Sequence, residues 1–477
     1  MHFPTLEFAL FFLLVLIAFW AVRTHRVARN ALLLAASCAF YAGWKPALLV
    51  WILSTSTAAW LLGRVVTGSG SERVKRAAMI AGVGMFLGSL GWFKYYGFFR
   101  DNLEALAKAF GVSSGLPILE IAMPLGLSYV SFTGLAYLID LRRGRGVAAG
   151  TLLDALVFFT FFPKVIIGPI IRSTDLMAQL HAPSPAGFPD LSRAVGLVAS
   201  GLFKKVVLAG WLSTHVVEDI FNAPEGFSSA ELFVGAWAYT IEIWADFSGY
   251  TDIAMGVALL LGFYLPNNFD QPYRATNISE FWRRWHMTFS NWLRDYVFLP
   301  LGGSRRGYVR TYVNLAVVML VTGIWHGAGW KFIVWGGLHA VAIIAYKMVQ
   351  DWRAAHGQAK GTVEFSWRYT ALCWFATMNY VVLARIFFRS TDVEVALLYF
   401  RNLLDFSWQG QGLEWLVLPL IAIGLLLNFY GQHLRRGFER LHDATPPLAR
   451  PLLWTLIAIL VILLAPADIS PAIYFGF

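Results

Sequence analysis

Apolar runs separated by short polar loops pattern the chain from end to end. A helix rises about 1.5 Å per residue, so roughly 20 apolar residues cross the roughly 30 Å hydrocarbon core of a bilayer. Runs at residues 6–22, 32–47, 48–65, 77–98, 118–139, 152–171 and 194–212 predict crossing helices. So do the runs at 312–325, 332–348, 369–388, 413–429 and 452–465. Residues 99–109 carry several charges and predict an amphipathic helix at the interface. The run 232–265 would measure about 50 Å as one helix, and Phe247-Ser248-Gly249-Tyr250 within it predicts a break into two segments. The expected fold is all-α and polytopic, with about 11 to 13 transmembrane or re-entrant helices plus interfacial amphipathic ones.

The polar loops 172–192, 351–366 and 389–411 are too short to be soluble domains. A single membrane-embedded domain over residues 1–477 is expected, with its chemistry in or beside the membrane. No internal repeat is visible, which argues against a repeat-built transporter.

Composition strengthens this reading. The chain is 58% hydrophobic and 14% charged, against roughly 25% charged in an ordinary soluble domain. Its 20 Trp and 18 Tyr suit a protein with two membrane interfaces. The net charge of +10 is spread between apolar runs rather than gathered in one patch, so no nucleic-acid surface is expected. Arg23, Arg26 and Arg29, then Arg64, Arg73, Lys75 and Arg76, then Arg142, Arg143 and Arg145 make alternate loops basic. Arg435, Arg436 and Arg440 add a late one. The positive-inside rule places these loops in the cytoplasm and the N-terminus outside. The first run follows no basic region and precedes no small-residue cleavage pattern, so a retained helix is expected rather than a removed signal peptide. Cys38 and Cys373 lie in separate apolar runs without metal-ligand spacing and are expected to pack.

Ionisable groups at membrane depth are costly and point to function. Glu242 and Asp246 lie four apart on one helix face, with Asp252 beyond. They either pair with Lys or Arg on neighbouring helices or line a polar cavity for substrate. Residues 277–296, NISEFWRRWHMTFSNWLRDY, put Phe281, Trp285, Phe289, Trp292 and Tyr296 on one stripe of a helical wheel. Arg283, Ser290 and Arg294 lie opposite, and His286 sits on the shoulder. This predicts a helix lying flat at the interface, either a surface anchor or a site for an anionic ligand. The run 313–325 rises only about 20 Å, short of the membrane core. Gly323, Gly327 and Gly329 surround His326 and favour a helix end there. His326 is therefore expected within the membrane at a broken helix end, as a functional residue. Phosphate-loop, HExxH and GxSxG motifs are absent, which argues against nucleotide, zinc and serine hydrolysis. No metal site is expected.

At these residues the sequence resembles the membrane-bound O-acyltransferases, and within them the bacterial branch that acetylates exopolysaccharides such as alginate. The likeness is densest over Trp244–Trp330: ADFSGYTDIAMGVALLLGF, LPNNFDQPY, SEFWRRWHMTFSNWLRDYVFLPLGG and TGIWHGAGW. It extends upstream to MPLGLSYVSFTGLAYLID and FFPKVIIGPIIR. Two departures stand out: Lys164 after FFP, where the family often has an uncharged residue, and Arg385 in ARIFFRS, where it usually has an aromatic.

The resemblance implies the family's fold, with N-terminal spans over 1–115, a core over 116–350 and C-terminal spans over 351–477. It implies that His326, of the WHG-type motif, is catalytic and that His286 is the second functional histidine. A hydroxyl acceptor must lose a proton as it attacks a thioester, and histidine, with its ordinary pKa near 6.5, suits that task. The donor implied is cytoplasmic acetyl-coenzyme A, used as a substrate with no bound cofactor. Arg283, Arg284 and Arg294 are then candidates for its phosphates. Trp285, Asn291, Asp295 and Trp325 are candidates for orienting donor or histidine, with Glu242 and Asp246 lining the substrate side. The resemblance further implies a bacterial inner-membrane location, a separate periplasmic SGNH-type acyltransferase partner and exopolysaccharide machinery. Two rivals remain at this point: D-alanyl or other acyl transfer from a carrier protein, and a transporter or channel using Glu242, Asp246 and Asp252.

Overall fold

The computed structural model describes residues 3–43, 45–184, 187–357 and 366–466. Parts of the polar loops 172–192 and 351–366 lie outside the described residues. Every regular element among the described residues is helical. Eight of these helices are long and apolar enough to cross a membrane, and the chain is a multi-pass membrane protein. Two compact units form, one of residues up to Val198 with Tyr250–Pro266, the other of Ala199–Gly249 with residues from Asn267 onward.

The first unit contains α1 (Leu6–Val22), α2 (Arg26–Ala42), α3 (Pro46–Thr67), α4 (Glu72–Ala109), α5 (Leu127–Arg142), α6 (Leu152–Thr160) and α7 (Ser173–His181). Local sequence starts several of them: Thr5 and Ser71 cap α1 and α4, and Thr151 with Asp154 forms a capping box on α6. α4 absorbs the expected interfacial segment 99–109 by continuing through a wider turn at Gly91–Tyr95. The expected spans 118–139 and 152–171 are only partly helical. Gly126 takes a left-handed conformation just before α5, where a Cβ would collide with the Val165 carbonyl, and α6 ends at Thr160 ahead of Pro163. Buried Arg29 of α2 donates to the Ala182 carbonyl and the Ser184 hydroxyl at 3.1 and 2.8 Å, while Asn30 donates to Asp154 at 2.9 Å. These bonds tie three elements together through polar groups that the interior would otherwise leave unsatisfied.

Two helices run from one unit's residues into the other's: α8 (Leu191–Asn222) and α9 (Ser229–Leu260). The second unit continues with α10 (Ile278–Arg284), α11 (Met287–Leu293), α12 (Tyr308–His326), α13 (Trp330–Ala355) and α14 (Trp367–Arg389). It closes with α15 (Val393–Leu404), α16 (Val417–Ala444) and α17 (Arg450–Leu464).

Two expectations are corrected here. The break at Phe247–Tyr250 does not exist, because α9 is one helix of 32 residues. Gly249 instead admits a neighbouring backbone: a Cβ there would stand 2.8 Å from the Gly201 carbonyl oxygen and 2.9 Å from the Lys205 nitrogen. Small residues serve this close approach in membrane helices, and an unbroken helix keeps every backbone polar group bonded.

The flat helix over 277–296 is also not one helix. α10 stops at Arg284, and α11 starts at Met287 after a reversal at His286, whose φ is +45°. The preceding loop holds the reversal: Met287 N donates to the Asn268 carbonyl at 2.8 Å and Asp270 N to the Arg284 carbonyl at 3.0 Å. The aromatic stripe survives in part, since Phe281, Trp285, Phe289 and Trp292 are buried, but it faces protein rather than lipid.

α12 and α13 form a tight hairpin. A Cβ on Gly323 would collide with the Phe332 carbonyl, and one on Gly336 would lie 2.6 Å from the Met319 carbonyl oxygen. The two glycines let the backbones touch, and the hairpin's turn presents His326.

Candidate active site

His326 is the last residue of α12. Gly327 follows with extended backbone and Gly329 precedes α13, so the chain leaves one helix and enters the next within four residues. His326 is 4% exposed. Its ring is enclosed by Trp325, Phe388 and Trp335 at centroid distances of 4.6, 4.9 and 5.1 Å, all three edge-to-face. The expectation of a histidine at a helix end, out of water, matches this placement.

His286 comes to the same place from another direction. It is 1% exposed, with Phe247 4.8 Å away and Phe289 5.1 Å away between ring centroids. Phe289 and Trp325 stack at 4.1 Å, and each of them also contacts both histidines. The two imidazoles are thus separated by a stacked aromatic pair. A left-handed backbone at a non-glycine residue is strained, and such strain persists where the surroundings over-determine it. Burial pushes the His286 imidazole down to about 3, which keeps it neutral at physiological pH.

A cavity of about 10 Å³, room for roughly one water-sized group, adjoins His326. Its other lining residues include Trp285, Trp335, His339 and Arg385. The sequence reading missed the last two as site residues. His339 sits in the apolar run of α13 and satisfies the same rule that singled out His326. Arg385 stood out only as a departure from a motif. Its guanidinium lies over the Trp285 ring at 4.4 Å and donates to the Tyr273 hydroxyl at 2.8 Å and the Thr240 carbonyl at 3.3 Å.

The remaining sequence candidates divide. Trp285 and Trp325 are buried and join the site. Arg283, Asn291 and Arg294 are exposed. Arg284 is held by Glu280 at 3.0 Å and Asp270 at 3.4 Å, and Arg294 pairs with Asp295 at 2.8 Å. Asp246 pairs with buried Lys205 of α8, while Lys204 donates to Ser248 at 3.1 Å. That arrangement matches the helix-pairing reading of Asp246. Glu242, one turn earlier, is buried and lies within hydrogen-bond reach of Ser213.

Such a site can do proton-transfer chemistry away from water, with an imidazole to take a proton and aromatic walls to exclude solvent. The stretch of chain that builds it matches a known family. The family model described as MBOAT, membrane-bound O-acyltransferase family, matches residues 149–388, which hold both histidines, His339 and Arg385. The Pseudomonas putida protein named probable alginate O-acetylase is 32% identical, with 100% of each chain covered. The Helicobacter pylori peptidoglycan O-acetyltransferase is 32% identical over 76% of this chain and 72% of its own. The Bacillus subtilis teichoic acid D-alanyltransferase is 27% identical over 48% of this chain and 60% of its own. With a family signature across half its length and identity sustained from end to end, the chain belongs to the membrane-bound O-acyltransferase family and is a membrane acyltransferase.

Proposed function

We propose that the chain carries an acetyl group from cytoplasmic acetyl-coenzyme A to the far side of a bacterial inner membrane, for O-acetylation of an extracytoplasmic polysaccharide. The relatives' names support the reaction and the acceptor class, since alginate and peptidoglycan both offer sugar hydroxyls to an acetyl donor. The observation that carries the mechanism is His326 itself, enclosed by aromatic rings at a helix end beside a small cavity.

In this mechanism His326 is the general base. It takes the proton of an acceptor hydroxyl while the oxygen attacks the thioester carbon. The carbon–sulfur bond then breaks, and the proton passes to the departing thiolate. The products are one ester and one free thiol. His286, neutral and fixed behind the aromatic pair, supports the geometry rather than exchanging the proton. The immediate acceptor in this reading is a hydroxyl of a separate periplasmic SGNH-type acyltransferase working with exopolysaccharide machinery, and the polysaccharide is the final one. Exposed Arg283 is the basic residue of this segment offered to coenzyme phosphates near the cytoplasmic face, while Arg294 would have to exchange Asp295 for them.

The donor distinguishes this reading from D-alanyl transfer. Membrane vesicles containing the chain together with a periplasmic SGNH-type acyltransferase as hydroxyl acceptor are given either radiolabelled acetyl-coenzyme A or a carrier protein loaded with labelled D-alanine. Label is expected to leave acetyl-coenzyme A and become ester-linked. Transfer from the carrier protein alone would sink the proposal.

A further inference from the structure

Arg385 is the outlier of the second unit's interior. It is 4% exposed, and among the described residues no carboxylate lies within ion-pair reach of it. Lys205 in the same unit has Asp246, and Arg284 has Glu280 and Asp270. Burying a charge is costly unless an opposite charge or a full set of hydrogen bonds compensates. What Arg385 has is one phenol, one carbonyl, and the faces of Trp285, Tyr273 and Phe281 at 4.4, 5.4 and 5.7 Å. These hold the guanidinium in place without neutralising it. It also lines the cavity that His326 lines.

The cavity's other polar wall offers donation as well. Trp282 Nε1 lies 3.3 Å from His339 Nδ1. An indole nitrogen only donates, so His339 Nδ1 accepts and its proton resides on Nε2. His339 is therefore fixed as a neutral ring whose remaining polar atom is a donor. Arg385, a cation, and His339, whose ring keeps one N–H to donate, thus both line a space of about 10 Å³, of a size for one oxygen atom carrying negative charge.

We propose that Arg385 is a catalytic residue that binds the carbonyl oxygen of the acyl thioester and stabilises the negative charge that develops on it. The proposal rests on the acyl-transfer reading above. As the acceptor oxygen bonds to the acyl carbon, the carbonyl π pair moves onto oxygen beside Arg385, and the acceptor's proton moves to His326. When the carbonyl re-forms, the carbon–sulfur bond breaks and the thiolate leaves with the proton from His326. The guanidinium is positioned before the reaction, in a dry site where such a donor acts most strongly.

The test compares Arg385→Met, which keeps bulk and removes charge, with Arg385→Lys, which keeps charge and loses the planar fork. Both are measured per folded molecule in vesicles with acetyl-coenzyme A. The proposal expects kcat for Arg385→Met to fall about 10²- to 10³-fold with KM little changed, and Arg385→Lys to retain more. Unchanged kcat with a lowered Tm would make Arg385 structural, and a raised KM with unchanged kcat would make it a ground-state contact. Either overturns the proposal. A second measurement needs no variant. The wild-type protein is offered an anionic tetrahedral phosphonate analogue of acetyl-pantetheine and its neutral thioether. Tighter binding of the anion by about 10²-fold or more supports the assignment, and equal binding overturns it even if neither variant folds. Failure of the wild-type chain to transfer any acyl group would remove both this proposal and the one beneath it. Loss of activity in His326→Ala with full activity in Arg385→Met would remove this one alone.

Discussion

Changing His326 to alanine is expected to lower the rate of thiol release from acetyl-coenzyme A in vesicles by about 10²- to 10⁴-fold, the range a general base contributes. The protein should still insert and fold. His326 lies at the end of α12, where its loss leaves a small void among Trp325, Trp335 and Phe388 but removes no helix-to-helix backbone contact. The hairpin itself is held by the close approach at Gly323 and Gly336. Glutamine at the same position should be equally inactive, because an amide hydrogen-bonds but does not take the proton. Thiol release by the alanine variant within tenfold of wild type would reject His326 as the base.

The second large effect is on stability. Lys205→Met is expected to destabilise the protein by up to about 3–5 kcal/mol, because it removes the buried cation from the Lys205–Asp246 ion pair. The consequence should appear as a lower Tm in detergent. Asp246→Leu should behave similarly by stranding Lys205. The double variant should recover much of the loss, since replacing both partners of a buried pair by apolar groups is often close to neutral. An unchanged Tm for Lys205→Met would mean that the pair does not hold α8 against α9, and the polar-pathway reading of Asp246 would regain weight.

Much of this was legible in the chain. Apolar run lengths indicated the membrane class, and the glycines around His326 marked a helix end there, although the run was not short: the helix begins at Tyr308 and its 19 residues are enough to cross a membrane. The errors have specific causes. A helical wheel assumes a continuous helix, and that assumption failed at His286. Nothing local terminates the helix there. The break is held by hydrogen bonds in which the Asn268 carbonyl accepts from Met287 and Asp270 N donates to Arg284, residues 18 and 16 positions before His286. The opposite error occurred at Gly249, read as a break when it admits the backbone at Gly201 and Lys205. A glycine in an apolar run means either a bend or a close approach, and only the neighbouring helix decides which. His339 and Arg385 lie 13 and 59 positions beyond His326, on helices whose own patterns read as plain spans. Their convergence on one cavity is a tertiary fact. The basic residues of the FWRRWH segment suggested a ligand site by composition, yet Arg284 is held by two carboxylates. The buried cation at the site comes instead from α14.

The central claim is that this chain acetylates an extracytoplasmic polysaccharide through His326. It is tested most directly by the O-acetyl ester content of the exported polysaccharide, measured by NMR in cells lacking the chain and complemented with the wild-type or the His326→Ala form. The account predicts that ester content collapses without the chain, returns with wild type, and stays absent with His326→Ala at equal membrane abundance. Ester content that is unchanged without the chain, or fully restored by His326→Ala, would contradict it.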